Sequence, residues 1–538
     1  MRRPRLMIAL VLTIFIFSSM LVGAQENRPQ PDGQQGLEMY VATVDDSEVA
    51  PLRDAGYDVV HAKKVSSGTE VSMVLSPAEY EQLDSRFNLR LWQSDDGQTS
   101  TDLANAIEQD GDGVWKPFDG DDGFLTEMET IVEEYPNLVK RVDIGESVQG
   151  RPIVALKVTE NANTVADNTR PAVLYISLQH AREWITGEMN LRLLRYLLDE
   201  YTAENTEIQS LLQTNEVWFV LTMNPDGYQY TFDEERFWRK NMRDNDSDGE
   251  ITFNDGVDLN RNWPSERWGY DNEGSSPNIT SFGYRGTEPG SEPEMQALVN
   301  LIEQIDFRFM IDYHSFGDLI LYPYGWQVQT PSDDDAIFTA LAGTDANPAI
   351  PAYDPGVGAD LYIANGTSMD YAYDTHDILA FVIELTNGFG FVFPDDEEMI
   401  QEVFEQNLPF ALDLLKSAAD PAQPVSHLDS EVDDLYVDTF SVSYGDPQTV
   451  EATVARSLEN INVNYQINDG EVQRMSATEW EGGERTGGDG IYYKTVRADI
   501  SGASPSDTVT VFFSSNGVSS DSFTYTLVSD NDTQVLIV

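Results

Sequence analysis

The chain carries five histidines and no cysteine, so thiolate chemistry is closed to it. Any imidazole ligand must come from His61, His180, His314, His376 or His427. Of these, His180 opens the segment His180-Ala181-Arg182-Glu183, which sets an imidazole and a carboxylate three residues apart. Such a pair suits a zinc ion that keeps one coordination position open. The spacing differs from the His-Glu-x-x-His pattern, in which two histidines share a helix face. A lone His-x-x-Glu also serves as an ordinary structural pair, so its meaning depends on the elements that position it.

Residues 172–178 form a near-continuous apolar run rich in Val, Ile and Tyr, which reads as a strand buried on both faces. A helical pattern follows from about Gly187, with Leu191, Leu194, Leu197 and Leu198 on one face. His180 and Glu183 therefore sit where strand gives way to helix, at the edge where open α/β sheets bind ligands. Two more apolar strands end in residues able to join them: DFRFMIDYHS at His314 and LAFVIEL near Glu384. VKRVDI, PIVALKV and EVWFVLTMN read as further strands, the last ending at Asn224. Residues 124–135 and 401–418 read as helices, and this alternation predicts an α/β domain over 114–419.

The flanks differ. Residues 1–24 join Arg2, Arg3 and Arg5 to an apolar stretch and Gly23-Ala24, the pattern of a secretory signal peptide. Residues 25–113 read as a leader, a small α/β module (strands MYVATV, VSMVLS and LRLW; helices SEVAPLRDAG and SPAEYEQLDSRF) and a polar linker from 93. The module is a propeptide or a permanent accessory domain. After a Pro-containing linker at 420–432, residues 433–538 alternate in short segments split by Gly, Asn and Asp, the signature of an all-β sandwich. The charge is strongly one-sided: 93 Asp and Glu against 32 Lys and Arg, a net −61 spread along the whole chain. That argues against a nucleic-acid partner and for a solvated acidic surface adapted to salt, which screens self-repulsion. No segment beyond the leader is apolar enough to span a membrane, so an extracellular location without stable membrane insertion is expected.

Read together, HAREW, NPDGY, FWRKN, DLNRNW, YHS, YPYG, LYIANGTSMDY and VIELT resemble, in order and over about 118–418, the zinc metallocarboxypeptidase family of the carboxypeptidase A type. The resemblance implies a mixed central sheet with flanking helices and one zinc ion held by His180, Glu183 and His314. Two imidazoles and a carboxylate leave room for water. It implies that Glu384 is the general base and that Arg239 stabilises the oxyanion. Asn260 and Arg261 match the pair that grips the terminal carboxylate, for which a guanidinium fork is suited. Tyr362 matches the capping tyrosine, and Arg182 would line the cleft.

Met369 aligns with the base of the pocket for the C-terminal side chain, and Val357, Leu361, Ala364 and Leu321 with its walls. These apolar positions predict preference for bulky apolar or aromatic C-terminal residues on peptide or protein substrates. Phe316 stands where animal members have Tyr, and Thr386 where an Arg is common. Separately, Asp244, Asp246, Asp248, Gly249 and Asp255 follow the spacing of a calcium loop, with a solvated acidic loop as the alternative. The competing functional readings are a cell-wall peptide amidase of the same superfamily and a non-catalytic binding module.

Overall fold

Apolar strands too hydrophobic for either face to meet water must lie at the middle of a layered fold. The computed structural model, which describes residues 36–94, 97–109, 113–385, 391–480 and 490–529, has eight strands arranged in this way. Their order across the sheet is Asp354–Val357, Leu319–Tyr322, Leu379–Leu385, Phe307–Ser315, Ala172–Ser177, Glu216–Val220, Pro152–Val158 and Val139–Glu146. The four strands from Leu379–Leu385 to Glu216–Val220 are parallel. Antiparallel pairing sets in on both sides of them. Ala172–Ser177 is wholly buried. Helices Trp184–Thr202, Pro293–Gln304, Ser368–His376 and Glu397–Ser417 flank the sheet. One apolar core joins Leu174, Ile176, Trp218, Met310, Leu298 and Trp263.

The register matters more than the outline. Glu384 lies opposite His314, and Asp312 opposite Ile176, so the ends of three adjacent parallel strands fall at one level. The chain after Ala172–Ser177 makes a sharp turn there. Leu178 has φ +54° and is fully buried, an unusual backbone for a branched residue. A Cβ on Gly187 would lie 2.6 Å from Leu178 Cδ1, so a bare α-carbon on the helix makes room for the turn. The helix starts at Trp184 rather than near Gly187: Glu183 takes the N-cap position, and the Thr186 hydroxyl accepts from Leu178 N at 3.2 Å. The strand expected to run to Asn224 ends at Val220, and the Asn224 side chain instead caps helix Pro225–Asp233 through Gly227 N at 3.0 Å.

The N-terminal module is an antiparallel sheet in the order Asp58–Val65, Gly68–Leu75, Glu38–Val44, Arg90–Leu91. Ser76 and Glu79 form a capping box at helix Pro77–Phe87. Strand Asp58–Val65 escapes sequence reading because its second half is polar and exposed. The stretch expected as linker contains helix Ser100–Gln109; Ser100 and Thr101 hydroxyls bond Glu38, which ties that helix to the module's sheet. The module and the main sheet form one compact unit, made of the described residues of 36–433 with 490–494. Leu37, Met39 and Val74 of the module share an apolar cluster with Phe237, Phe282 and Phe391.

The second unit holds two β-sheets around a core of Val450, Val463, Val509, Phe513 and Tyr525. Thr508–Ser515 shows the alternation that builds it, with Val509, Val511 and Phe513 inward. Among the described residues no helix is long and apolar enough to cross a membrane. The expected leader at 1–24 lies outside the described residues, as does Thr386.

Candidate metal centre and cleft

His180 and Glu183 come from the turn after Ala172–Ser177, and His314 from the end of the neighbouring strand. His180 Nδ1 lies 2.8 Å from Glu183 Oε1, and His314 Nδ1 lies 3.1 Å from Glu183 Oε2. The two Nδ1 atoms are 3.0 Å apart. All three residues are buried.

The outer nitrogens decide what this cluster can hold. His180 Nε2 is 3.2 Å from Asp258 Oδ1, and His314 Nε2 is 2.9 Å from Asp312 Oδ2. An ionised carboxylate only accepts, so each histidine carries its proton on Nε2 and turns a lone pair inward at Nδ1. With both rings neutral, two lone pairs and a carboxylate then face one point. A cation relieves that repulsion, and two imidazoles with a carboxylate are a donor set for zinc. Burial would raise the Glu183 pKa, but His180 and His314 outweigh it and keep the carboxylate ionised. Burial likewise opposes charge on His314, and Asp312 reverses the sign, raising its pKa.

Asp258 is the hub that sequence reading passed over. It is fully buried. Oδ1 faces His180 and accepts from Asn260 N at 3.0 Å; Oδ2 accepts from Arg239 Nε at 3.1 Å and Nη2 at 2.9 Å. One carboxylate thus orients a histidine, anchors Arg239 and caps the short helix Leu259–Arg261. Burial pushes its pKa up, but Arg239 first and His180 next hold it well below the carboxylate range. Arg239 Nη1 lies 3.3 Å from His180 Nδ1. Asn260 Oδ1 accepts from Ser368 N at 2.9 Å, which turns its Nδ2 to within 3.2 Å of His314 Nε2. Arg261 Nη1 donates to Asn260 O at 2.7 Å. Glu384 borders the same cleft, its pKa pushed up to about 7 by burial first, against the lowering pull of His314.

Three expected residues have partners that residue patterns do not announce. Arg182 lines the cleft as expected, yet it is fully buried there, paired with Asp58 of the N-terminal module (Nη2 to Oδ1 3.2 Å), and lies 4.0 Å over the Phe391 ring. Asp58 becomes its partner only through tertiary contact, 124 residues away along the chain, which no local pattern announces. Tyr362 borders the cleft with the guanidinium of Arg53, another module residue, 4.6 Å above its ring. Met369 packs in the main apolar core, its Cε close to the open faces of Gly325 and Gly358. The adjoining Asp370 brings a carboxylate to what reads from sequence as an uncharged region. Its Oδ1 accepts from Gly325 N at 2.8 Å, its Oδ2 has no partner among the described residues, and burial pushes its pKa up to about 7.

In the acidic loop, Asp244, Asp246 and Asp255 each bring one oxygen within 4.8 Å of the others. Asp248 falls outside that group and instead accepts from Glu250 N. The Asp255 carboxylate is buried and accepts from Asn245 N and Thr252 N.

Fold and donor set define an α/β protein with a single-metal centre opening onto a cleft at the carboxyl edge of its sheet. The zinc carboxypeptidase model of the M14 peptidases matches residues 124–410. Mouse carboxypeptidase A4 is 33% identical over 295 residues, covering 54% of this chain and 67% of that protein. Pig carboxypeptidase A1 is 31% identical over 280 residues, covering 50% and 62%. Among solved structures, carboxypeptidase A from Helicoverpa armigera superposes with a TM-score of 0.56 at 24% identity, over 72% of this chain and 98% of that one. Thrombin activatable fibrinolysis inhibitor does so with a TM-score of 0.58 at 22% identity, over 72% and 100%. These two likenesses concern the fold. The chain belongs to the zinc carboxypeptidase family, a family of metallocarboxypeptidase hydrolases.

Proposed function

We propose that this chain is a secreted, salt-adapted zinc carboxypeptidase that removes apolar or aromatic residues from the C-termini of peptides. The observation that carries the reading is the convergence of His180, Glu183, His314 and Glu384 at the ends of adjacent strands, with Asn260 and Arg261 beside them. His180, Glu183 and His314 would hold the zinc. When bound, the ion supplies Lewis acidity, polarising the scissile carbonyl and making water acidic enough to attack near neutral pH.

The protein's own groups do the rest. Glu384 takes the proton of the attacking water and returns it to the leaving nitrogen. Arg239, held by Asp258, offers its guanidinium to the carbonyl oxygen as negative charge builds. Arg261 and Asn260 take the terminal carboxylate, which rewards a free C-terminus, and Tyr362 closes over the bound end. Met369, Val357 and Ala364 bound the side-chain pocket, and their apolar character supports the substrate preference. The N-terminal module acts as a propeptide: Asp58 on Arg182 and Arg53 on Tyr362 put it across the cleft. The convergence of Asp244, Asp246 and Asp255 supports calcium as a second, structural ion.

The test is to nick the protein ahead of the catalytic unit, in molar salt, and offer a peptide ending in Phe. Stepwise loss of C-terminal residues by mass spectrometry, stopped by a chelator and absent in Glu384→Gln, is expected. Faster release of Lys or Arg than of Phe or Leu overturns the specificity. An intact peptide with folded, zinc-loaded protein overturns the activity. Calcium that fails to raise the melting temperature of chelator-stripped protein removes the second ion.

A further inference from the structure

Cations are scarce in this chain, and the other arginines of the cleft are matched. Arg182 has Asp58 and Arg239 has Asp258. Arg53 and Arg261 are not matched. Neither makes an ion pair among the described residues, in a protein with 93 acidic side chains. Arg261 is only 8% exposed, and among the described residues its one acceptor is the carbonyl oxygen of Asn260. A guanidinium carries five donors, and a buried cation left unpaired is costly. Arg53 comes from the other side, at the end of module helix Val49–Asp54, and stacks on Tyr362. Burial lowers its pKa, Tyr362 opposes the fall, and the like charge of Arg261 adds to it. Both arginines line one cavity of about 540 Å³, together with Asn260, Tyr362 and Glu384. A cavity of that size takes a small organic molecule.

We propose that Arg53 and Arg261 together form a binding site for a small carboxylate, half supplied by the N-terminal module and half by the catalytic unit, so that a free amino acid or a peptide C-terminus fastens the module onto the cleft. The proposal rests on Arg261 receiving a carboxylate. It adds that Arg53 shares it, which makes the released product a ligand that stabilises the covered state. An anion between two like charges relieves their repulsion and links them through charge-assisted hydrogen bonds. A ligand that binds only the docked arrangement shifts the equilibrium toward it by mass action.

The experiment uses the zinc-loaded full chain in molar salt, titrated with L-phenylalanine, with phenylalaninamide and with an acylated peptide ending in Phe. Limited proteolysis of the module is followed in parallel. L-phenylalanine is expected to bind and to slow release of the module, and the amide to do neither. The acylated peptide binding alongside L-phenylalanine identifies a carboxylate from either source; L-phenylalanine binding alone identifies the released amino acid. Arg53→Gln should weaken binding about tenfold or more, the loss of a hydrogen-bonded charge pair. Arg53→Lys should recover part of it, which also controls for misfolding. Unchanged affinity in Arg53→Gln, or module release indifferent to L-phenylalanine, overturns the proposal. Binding that survives Arg261→Gln instead overturns the underlying assignment of Arg261.

Discussion

Asp258 offers the sharpest test of how this centre is held, because one buried carboxylate serves four donors. Asp258→Ala strips Arg239 of its ion-pair partner, leaves Asn260 N without an acceptor and frees the outer nitrogen of His180. Arg239 keeps only 13% of its side-chain exposure, so water cannot replace the carboxylate. Removing one partner of a buried pair costs about 3–5 kcal/mol. Loss of an outer hydrogen bond to a ligating histidine lowers metal affinity about 10–100-fold. Asp258→Asn preserves volume and one oxygen but sets an amide N–H against the guanidinium, so its defect should fall between alanine and wild type. Scanning calorimetry of the zinc-stripped protein reads the structural cost alone. Competition with a chromogenic chelator reads zinc affinity. The expected pattern is a large drop in the melting temperature of the stripped alanine variant together with weakened zinc binding. A stripped alanine variant that melts with wild type and holds zinc as tightly would refute the assignment of Asp258 as the hub.

Three further outcomes follow from the same structure. Zinc removal should lower the melting temperature reversibly, since free zinc at a hundred times its dissociation constant adds about 2.7 kcal/mol to a single site; a chelator that leaves the calorimetric trace unmoved contradicts the donor geometry. Glu188 is buried and its pKa is pushed up to about 7 by desolvation, against the lowering effect of Arg192. A raised folded pKa gives stability that is present at low pH and lost as pH rises from the ordinary carboxylate range to about 7, so Glu188→Gln should match wild type near pH 4 and exceed it by up to about 3 kcal/mol above pH 7. With a net charge of −61, dialysis from molar salt into dilute buffer should unfold the protein as screening is lost; an unchanged circular dichroism spectrum would contradict salt adaptation.

Much of the architecture is written locally. Ala172–Ser177 and Leu379–Leu385 are near-continuous apolar runs, and Phe307–Ser315 carries Phe307, Phe309, Ile311 and Tyr313 on one face, so each reads as a strand without knowledge of its neighbours. The residues that end them, His180, His314 and Glu384, are therefore placed by sequence at the edge of a sheet. The alternation in Thr508–Ser515 likewise declares a half-buried strand. The same local reading fails where polarity and burial part company, as in the exposed half of Asp58–Val65 and in the helix Ser100–Gln109, whose polar residues suggested a linker.

Only the tertiary structure decided who pairs with whom. Asp258 becomes the partner of His180, 78 residues away, because tertiary contact brings it there and burial removes the water that would otherwise solvate it. Asp58 covers Arg182, and Arg53 reaches Tyr362, across more than a hundred residues of chain. Asp370 keeps an oxygen without a partner among the described residues, which no residue pattern foretells. Periodicity is a property of neighbours along the chain and can be read there. The charge state and partner of a buried polar group depend on dielectric and distance, which the chain acquires only when distant segments close over it.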